Sequence, residues 1–188
     1  MLIFLPPTED LLPALAAYRR TCLEYADDMD GSAGLGNFSS LPDWLNRIRL
    51  LDSPEAERRG WLRTTVFLAT LSPGECSLAA RDAASPDYLP NVVGIGSVRF
   101  PTHGEELNAG HIGYHVRPDV RRRGYGSAVL THALDLCRRN GVRDPAVCVL
   151  TDNLPSLRTA LTCGFVRETE GALPTGESFI RLRRYDPA

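Results

Sequence analysis

The chain has 188 residues and carries 21 basic against 23 acidic side chains, which gives a net charge of −2 at pH 7. This length fits one domain, the near-neutral charge argues against a general nucleic-acid binder, and no apolar run approaches the roughly 18–20 residues that cross a bilayer. The N-terminal residues lack the basic start of a secretory signal, so the sequence predicts a cytoplasmic protein that binds neither membranes nor nucleic acid.

The cysteines and the charged residues set two further expectations. The five cysteines stand mostly in apolar stretches and show no spacing typical of metal ligands, so we expect reduced thiols and no metal site. Every basic residue is an arginine; residues 1–110 hold 9 arginines and 15 acids, whereas residues 111–188 hold 12 arginines and 8 acids. This imbalance favours an anion-binding site in the second half of the chain.

The first half of the chain predicts amphipathic helices between short strands. Apolar residues recur at three-to-four spacing in the two predicted helices, and the glycine-rich segment Asp30–Gly36 separates them. In chain order, the predicted elements are a strand at Leu2–Leu5, helices from Glu9 to about Ala26 and at Leu41–Leu51, a strand at Thr64–Leu71, and a long loop at 72–90.

The second half alternates strands with helices, which predicts an α/β domain with a mixed sheet. The helix Gly124–Asn140 has apolar and polar sets on opposite faces, and Gly141 ends it. The other predicted elements are strands at Asn91–Phe100, His111–Val116 and Ala146–Leu150, a helix at Leu154–Cys163, and strands at Gly164–Glu168 and Ser178–Tyr185.

The most informative stretch, Val116–Gly126, leaves a strand and enters a helix. Gly124 and Gly126 allow a tight turn and a close approach of a ligand to the backbone. The unpaired N–H groups at the start of the following helix point back at this loop, and three consecutive arginines add positive charge. The stretch therefore predicts a phosphate-binding loop.

Two common phosphate loops do not fit this sequence. A P-loop requires a lysine, and the chain has none. A dinucleotide-binding loop requires a small residue where Val129 stands, and it opens the first βα unit of a sheet.

The loop resembles the pyrophosphate loop of the GNAT acyltransferase superfamily, Val-x-Pro-x-x-[Gln/Arg]-x-x-Gly-x-[Gly/Ala]. The matching positions are Val116, Pro118, Arg121, Gly124 and Gly126. A second block, Asn153–Ser156 followed by Gly164 and Phe165, is similar to the second cofactor motif of that family, and the order of elements is similar along essentially the whole chain. The run HIGYHVRPDVRRRGYG also resembles a branch of predicted GNAT acetyltransferases.

The resemblance implies an α/β fold with a GNAT-like mixed, mostly antiparallel sheet of about seven strands, flanked by four helices. It implies a single domain over residues 1–188, in which 1–62 provide acceptor-side helices and 91–170 the cofactor-binding core. The three central strands would form an antiparallel meander. The strand His111–Val116 would lie parallel to Ala146–Leu150 but splay from it, opening a slot for the cofactor.

The resemblance also implies acetyl-CoA as the acyl donor and assigns residues to it. The loop amides and the helix start would hold the pyrophosphate, and the strand before the loop would pair with the pantetheine arm. Asn153 would contact that arm or simply cap its helix. The predicted cofactor-binding residues are Val116, Arg121, Arg122, Arg123, Gly124, Tyr125, Gly126, Ser127, Asn153 and Ser156.

Acyl transfer from a thioester to an amine requires a proton acceptor, donors for the oxyanion and, usefully, an acid for the leaving thiolate. The resemblance suggests a backbone N–H near Val116 as the oxyanion donor. We predict that His111, or else His115, accepts the amine proton, because an imidazole has a pKa near neutrality. Glu105, Glu106 or a water chain are the alternatives.

The usual tyrosine acid of the family is missing, because Ala160 stands four residues before the Gly164–Phe165 pair. Tyr185 or Cys163 would then replace it, or the CoA thiolate would leave without help.

The resemblance thus predicts an N-acetyltransferase that acts on a primary amine of a small molecule, peptide or protein by direct attack in a ternary complex. The N-terminal helices and the loops after residues 26 and 72 would form the acceptor site, where the acidic cluster Glu24, Asp27, Asp28 and Asp30 would attract a cationic amine. The alternative is a degenerate domain that binds acyl-CoA as a sensor or scaffold without turnover. The chain would be a monomer or a homodimer.

Overall fold

A computed structural model describes residues 1–72, 91–101 and 110–185, and within them seven strands and five α-helices. The strands are β1 (Leu2–Leu5), β2 (Arg63–Leu71), β3 (Asn91–Phe100), β4 (Ile112–Val116), β5 (Ala146–Leu150), β6 (Val166–Ala172) and β7 (Ser178–Arg183). The helices are α1 (Leu12–Glu24), α2 (Leu41–Leu51), α3 (Pro54–Arg58), α4 (Tyr125–Arg139) and α5 (Leu154–Thr162).

The first four strands form one antiparallel sheet in the order β1-β2-β3-β4. The predicted meander of the three central strands is therefore confirmed. β4 is the last strand of this sheet, and its outer edge faces the second sheet.

The second sheet is antiparallel too, with the order β5-β7-β6. The seven strands expected in one mostly antiparallel sheet are thus divided between two sheets, of four and three strands. Among the described residues, a single antiparallel bridge, Gly110 with Val147, joins the segment just before β4 to β5. Beside this bridge, the backbone N–H of Ala146 donates to the imidazole Nδ1 of His111 instead of a strand carbonyl. The predicted gap between the two strands is confirmed.

Two apolar cores lie on opposite faces of the first sheet. One is formed with α1 and α2 around Tyr18 and Trp44, both fully buried. The other is formed with α4, α5 and the second sheet around Leu130 and Phe165. The open edge of β4 lies between these two cores, so side chains from both faces of the sheet can reach it.

Two elements differ from the sequence-based expectation. The short helix α3 begins at Pro54 after Ser53 and adds a fifth helix to the four expected. β6 extends to Ala172, well beyond the predicted end at Glu168, although all but one of its residues are exposed. It has no buried face, so the sequence shows no apolar alternation from which its length could be predicted.

Within the described ranges, every helix is too short or too polar to cross a membrane.

Candidate active site

The loop that was predicted to bind phosphate runs from the end of β4 to the start of α4. A single 3-10 turn, Pro118–Val120, follows the strand. Gly124 has a φ of +83°, a left-handed conformation that favours glycine, and α4 begins directly after it. The first N–H groups of α4 have no partner within the helix and point toward the loop, so this end of α4 can bind an anion.

The three arginines of the loop have different surroundings. Arg122 and Arg123 are exposed. The guanidinium of Arg121 is turned back, since Nε donates to the carbonyl oxygen of Val116 at 2.9 Å and Nη2 to Oδ2 of Asp27 at 2.5 Å. Arg121 therefore ties the loop to the segment that follows α1.

Asp27 and Arg121 belong to a hydrogen-bonded chain that reaches the core beneath α1. The hydroxyl of Tyr18 bonds to Nδ1 of His115, and Nε2 of His115 lies 2.7 Å from Oδ1 of Asp27. Burial raises the pKa of Tyr18 well above its usual value. Burial would also raise the pKa of Asp27, but the Met29 amide, His115 and Arg121 hold it below its usual range.

These contacts fit a neutral His115 with its proton on Nε2. Burial lowers its pKa against the opposing influence of Asp27. Tyr18 then donates to Nδ1 and Nε2–H donates to Asp27, so both ring nitrogens are occupied.

Cys22 lies beside this chain, and its Sγ, a carboxylate oxygen of Asp27 and a ring nitrogen of His115 are within 4.8 Å of one another. This spacing suits a metal ion, but the charges do not. Burial raises the pKa of the Cys22 thiol to about 12, and the Arg121 cation already bonds to Asp27. We assign no metal to this group.

A cavity of about 610 Å³ occupies the gap between β4 and β5. Three carboxylates line it, those of Asp28 and Asp30 after α1 and of Glu177 before β7. Its other polar lining residues are Asn37, Arg99, Tyr114, Cys148, Asn153 and Ser156. Asn153 and Ser156, predicted to contact the cofactor, thus lie on this gap, and so does part of the acidic cluster expected at the acceptor site.

The edge of β4 presents alternate peptide groups to the gap. Arg99 N donates to His111 O at 2.8 Å, and Arg117 N donates to Val93 O at 2.9 Å. Since hydrogen bonding in an antiparallel pair alternates, the odd-numbered residues of β4 bond to β3, and the peptide groups of Ile112, Tyr114 and Val116 face outward.

Gly31 closes one side of this edge. It has a φ of +84°, and a Cβ built on it would overlap the carbonyl oxygen of Tyr114. The segment after α1 therefore lies directly on the outer edge of β4, in a contact that only glycine allows.

Tyr114 crosses the gap on the other side of the strand. Its hydroxyl lies 3.0 Å from Oγ of Ser156 and 3.3 Å from the Ser156 carbonyl oxygen, on the first turn of α5. Burial raises the pKa of this phenol, which keeps it protonated at neutral pH. Oδ1 of Asn153 accepts from the Ser156 amide at 3.1 Å and caps the same helix.

His111 lies at the closed end of the gap, beside the bridge to β5. It is 7% exposed, and its Nδ1 accepts the Ala146 N–H at 3.1 Å. Burial and the neighbouring Arg181, Arg183 and Arg99 lower its pKa to about 4.

This depressed pKa predicts a loss of stability in acid. The unfolded chain takes up the His111 proton near pH 6.5, whereas the folded chain resists it down to about pH 4. Stability therefore falls between these two values, by at most about 3 kcal/mol from this residue. In His111→Asn the side chain keeps an acceptor for Ala146 but does not titrate. We expect urea unfolding at pH 7 and pH 4.5 to show a smaller acid-induced loss for the variant; equal losses would contradict this assignment.

The remaining predicted residues are placed as follows. Ala160 is fully buried in the core, and neither Cys163 nor Tyr185 lines the gap cavity: Cys163 Sγ faces the Ser127 carbonyl oxygen at 3.8 Å, and Tyr185 is 58% exposed. Neither His111 nor His115 lines it. Glu105, Glu106 and most of the loop at 72–90 lie outside the described residues.

Gly31, Arg99 and Tyr114 also lie at this site, and none of them is among the site residues predicted from sequence. Tyr114 had a usable signal, since period-two alternation turns it to the face opposite His115. Gly31 and Arg99 had none, because their partners are distant in the chain.

Known proteins resemble this chain in sequence pattern and in fold. The sequence model of the acetyltransferase (GNAT) family matches residues 41–165. A search of curated protein sequences gave no match.

Solved structures of acetyltransferases are similar in fold. The microcin C7 self-immunity acetyltransferase MccE, in complex with acetyl-CoA and AMP, has a TM-score of 0.63 and 16% identity over 98% of this chain and 92% of its own. The ribosomal L7/L12 alpha-N-protein acetyltransferase RimL, in complex with coenzyme A, has a TM-score of 0.64 and 16% identity over 98% and 93%. A GNAT-family acetyltransferase from Streptococcus pneumoniae has a TM-score of 0.66 and 15% identity over 98% of each chain.

Proposed function

The chain belongs to the acetyltransferase (GNAT) family, and on that premise we propose that it transfers the acetyl group of acetyl-CoA to a primary amine of a small molecule, peptide or protein. The attack is direct and takes place in a ternary complex. The observation that carries the proposal is the open edge of β4, which adjoins an anion-binding helix end and borders an acid-lined cavity.

The cofactor binds along this edge. The backbone of Arg121–Gly126 and Ser127 hold the pyrophosphate at the start of α4, with Arg122, Arg123 and Tyr125 around it. The outward peptide group of Val116 pairs with the pantetheine arm. Asn153 and Ser156 face that arm from α5. The side chain of Arg121 fixes the loop rather than the phosphate, since it is bonded to Val116 and Asp27.

The acceptor enters from the face of α1. Asp28 and Asp30 follow that helix, whereas Tyr114 points to the face of α4 and α5. Amine and thioester therefore meet at the β4 edge, and no acyl-enzyme is needed. An outward N–H near Val116 stabilises the oxyanion.

The proton balance is as follows. A C–N bond forms and the C–S bond breaks. The ammonium first gives one proton to water held by the cavity carboxylates, and the leaving thiolate takes a proton from an acid. The nitrogen loses its second proton as the tetrahedral intermediate collapses, and this proton restores the acid. That His111 or His115 accepts the proton stays a prediction, and the contacts give it no support. His115 has both ring nitrogens occupied, and His111 would have to release the Ala146 N–H.

We assign the acid to Tyr114, whose protonated hydroxyl lines the gap where Ala160 offers none. Tyr114→Phe should lower kcat by about tenfold or more, a modest loss because a thiolate is already a tolerable leaving group. KM for acetyl-CoA should stay nearly unchanged, because the hydroxyl acts on the chemical step. Steady-state kinetics measure both. Tyr185→Phe and Cys163→Ser are matched controls; if either of them, and not Tyr114→Phe, lowers kcat, the acid is misassigned.

The proposal is tested by release of CoA thiol from acetyl-CoA with a panel of primary amines. We expect acceptor-dependent release and intersecting double-reciprocal plots, which indicate a ternary complex. Parallel plots would indicate an acyl-enzyme. Tight binding of acetyl-CoA without release for any amine would favour the sensor or scaffold alternative.

A further inference from the structure

Arg99 is a cation on the floor of the gap cavity. It lies on β3, and its Nη1 donates to the carbonyl oxygen of Gly110 at 3.1 Å. Its Nη2 is 3.5 Å from where a Cβ on Gly113 would stand. The side chain is half-buried, and it lines the cavity together with Cys148 of the opposite strand.

This guanidinium has no carboxylate partner within 4.0 Å among residues 1–72, 91–101 and 110–185. Desolvation lowers its pKa, and Asp30 acts on it only as a more distant charge. A cation that loses water is normally paired with an anion. The bond to the Gly110 carbonyl uses one of the five N–H donors of the Arg99 guanidinium, so the others can bind an oxyanion in the cavity.

The opposite charge stands elsewhere on the same cavity. Asp28 and Asp30 are exposed carboxylates on the segment after α1, and Glu177 is exposed at the β6–β7 turn. The cavity thus has an electropositive floor and an electronegative mouth. A ligand with an ammonium and a carboxylate on one small frame matches both.

We infer that the acceptor is a small amino acid-like zwitterion, whose carboxylate binds Arg99 while its ammonium lies among Asp28, Asp30 and Glu177. This inference rests on the proposed function and narrows its substrate class. The free N-terminus of a protein is a poorer match, because it carries no carboxylate next to the amine. A simple alkylamine lacks the group that Arg99 is placed to bind.

Equilibrium binding separates this inference from turnover. The probes are the L-amino acids, each compared with its own carboxamide, which keeps the amine and loses the anion. They are titrated calorimetrically into the CoA-saturated protein and into the free protein. We expect at least one amino acid to bind at least about 30-fold more tightly than its carboxamide.

The variants test the residue. Arg99→Leu should abolish the protein's preference for that amino acid over its carboxamide, and Arg99→Lys should keep part of this preference. The control is Arg63→Leu, which should leave the preference intact, because Arg63 lies on β2 and bonds to Asn140 outside the cavity. If Arg99→Leu does not fold, the Lys variant carries the test. Equal binding of all pairs by the wild type overturns the inference, and so does a preference that survives undiminished in Arg99→Leu or in Arg99→Lys.

The same pairs are then tried as acceptors. An amino acid that binds through Arg99 but is not acetylated would refute the proposed function and not the site. An acetylated acceptor for which KM is the same with or without a carboxylate would refute the site and not the function.

Discussion

Ser127→Glu is expected to weaken the affinity for CoA by at least about 10²-fold while leaving the fold intact. Ser127 is the third residue of α4 after its cap, at the helix end to which we assign the pyrophosphate. A carboxylate there interacts favourably with the helix dipole, so α4 itself is not weakened. It does repel a phosphate about 4 Å away, by about 4 kcal/mol at the effective dielectric constant of a protein surface.

Ser127→Gln is the matched control, since it has the same shape without the charge. Calorimetric titration of CoA and thermal unfolding of both variants give the affinity and the stability. A Ser127→Glu protein that binds CoA as tightly as Ser127→Gln would mean that the pyrophosphate lies elsewhere.

Gly31→Ala is expected to lower kcat/KM by about 10²-fold. A Cβ at this residue would overlap the Tyr114 carbonyl oxygen, so the segment after α1 must move off the edge of β4. We place the thioester and the attacking amine at this edge, and a displacement of about 1 Å is enough for a loss of this size. The left-handed backbone adds about 1–2 kcal/mol of strain.

Gly34→Ala separates the two effects. Gly34 lies in the same segment with a φ of +76°, but a Cβ there meets only Nδ2 of Asn37, at 3.9 Å. We expect it to lose similar stability from backbone strain but little activity. Equal losses of activity in the two variants would show that strain, and not the contact with Tyr114, is responsible.

The geometry of the loop to which we assign the cofactor could be predicted from sequence because its determinants are local. Gly124 is needed for a left-handed φ, the helix start supplies the amides, and Pro118 ends the strand within a few residues. Each of these features acts on its chain neighbours, so the motif itself specifies the geometry.

The proton chemistry could not be predicted in the same way. Alternation along the strand places Tyr114 and His115 on opposite faces, but the partners that decide their roles are distant in the chain. Tyr18 and Asp27 belong to α1 and the segment after it, and Ser156 to α5. Burial and these contacts, rather than the usual pKa of an imidazole, determine what each side chain can do.

The division of the strands into two sheets could not be predicted from sequence for a similar reason. The short apolar strand β5 pairs with β7 instead of with β4, and next to it the side chain of His111, 35 residues earlier in the chain, accepts the Ala146 N–H. Strand identity can be read from composition, whereas the choice of a neighbouring strand depends on contacts distant in sequence.

The position of the cofactor is tested most directly by a crystal structure of the protein with CoA. We predict that the pyrophosphate accepts hydrogen bonds from the backbone N–H groups of Gly124–Ser127, and that the pantetheine arm lies between β4 and β5 with its thiol near the outward edge of Tyr114. CoA bound away from the start of α4, or an arm that runs outside the gap, would contradict the assignment of this site.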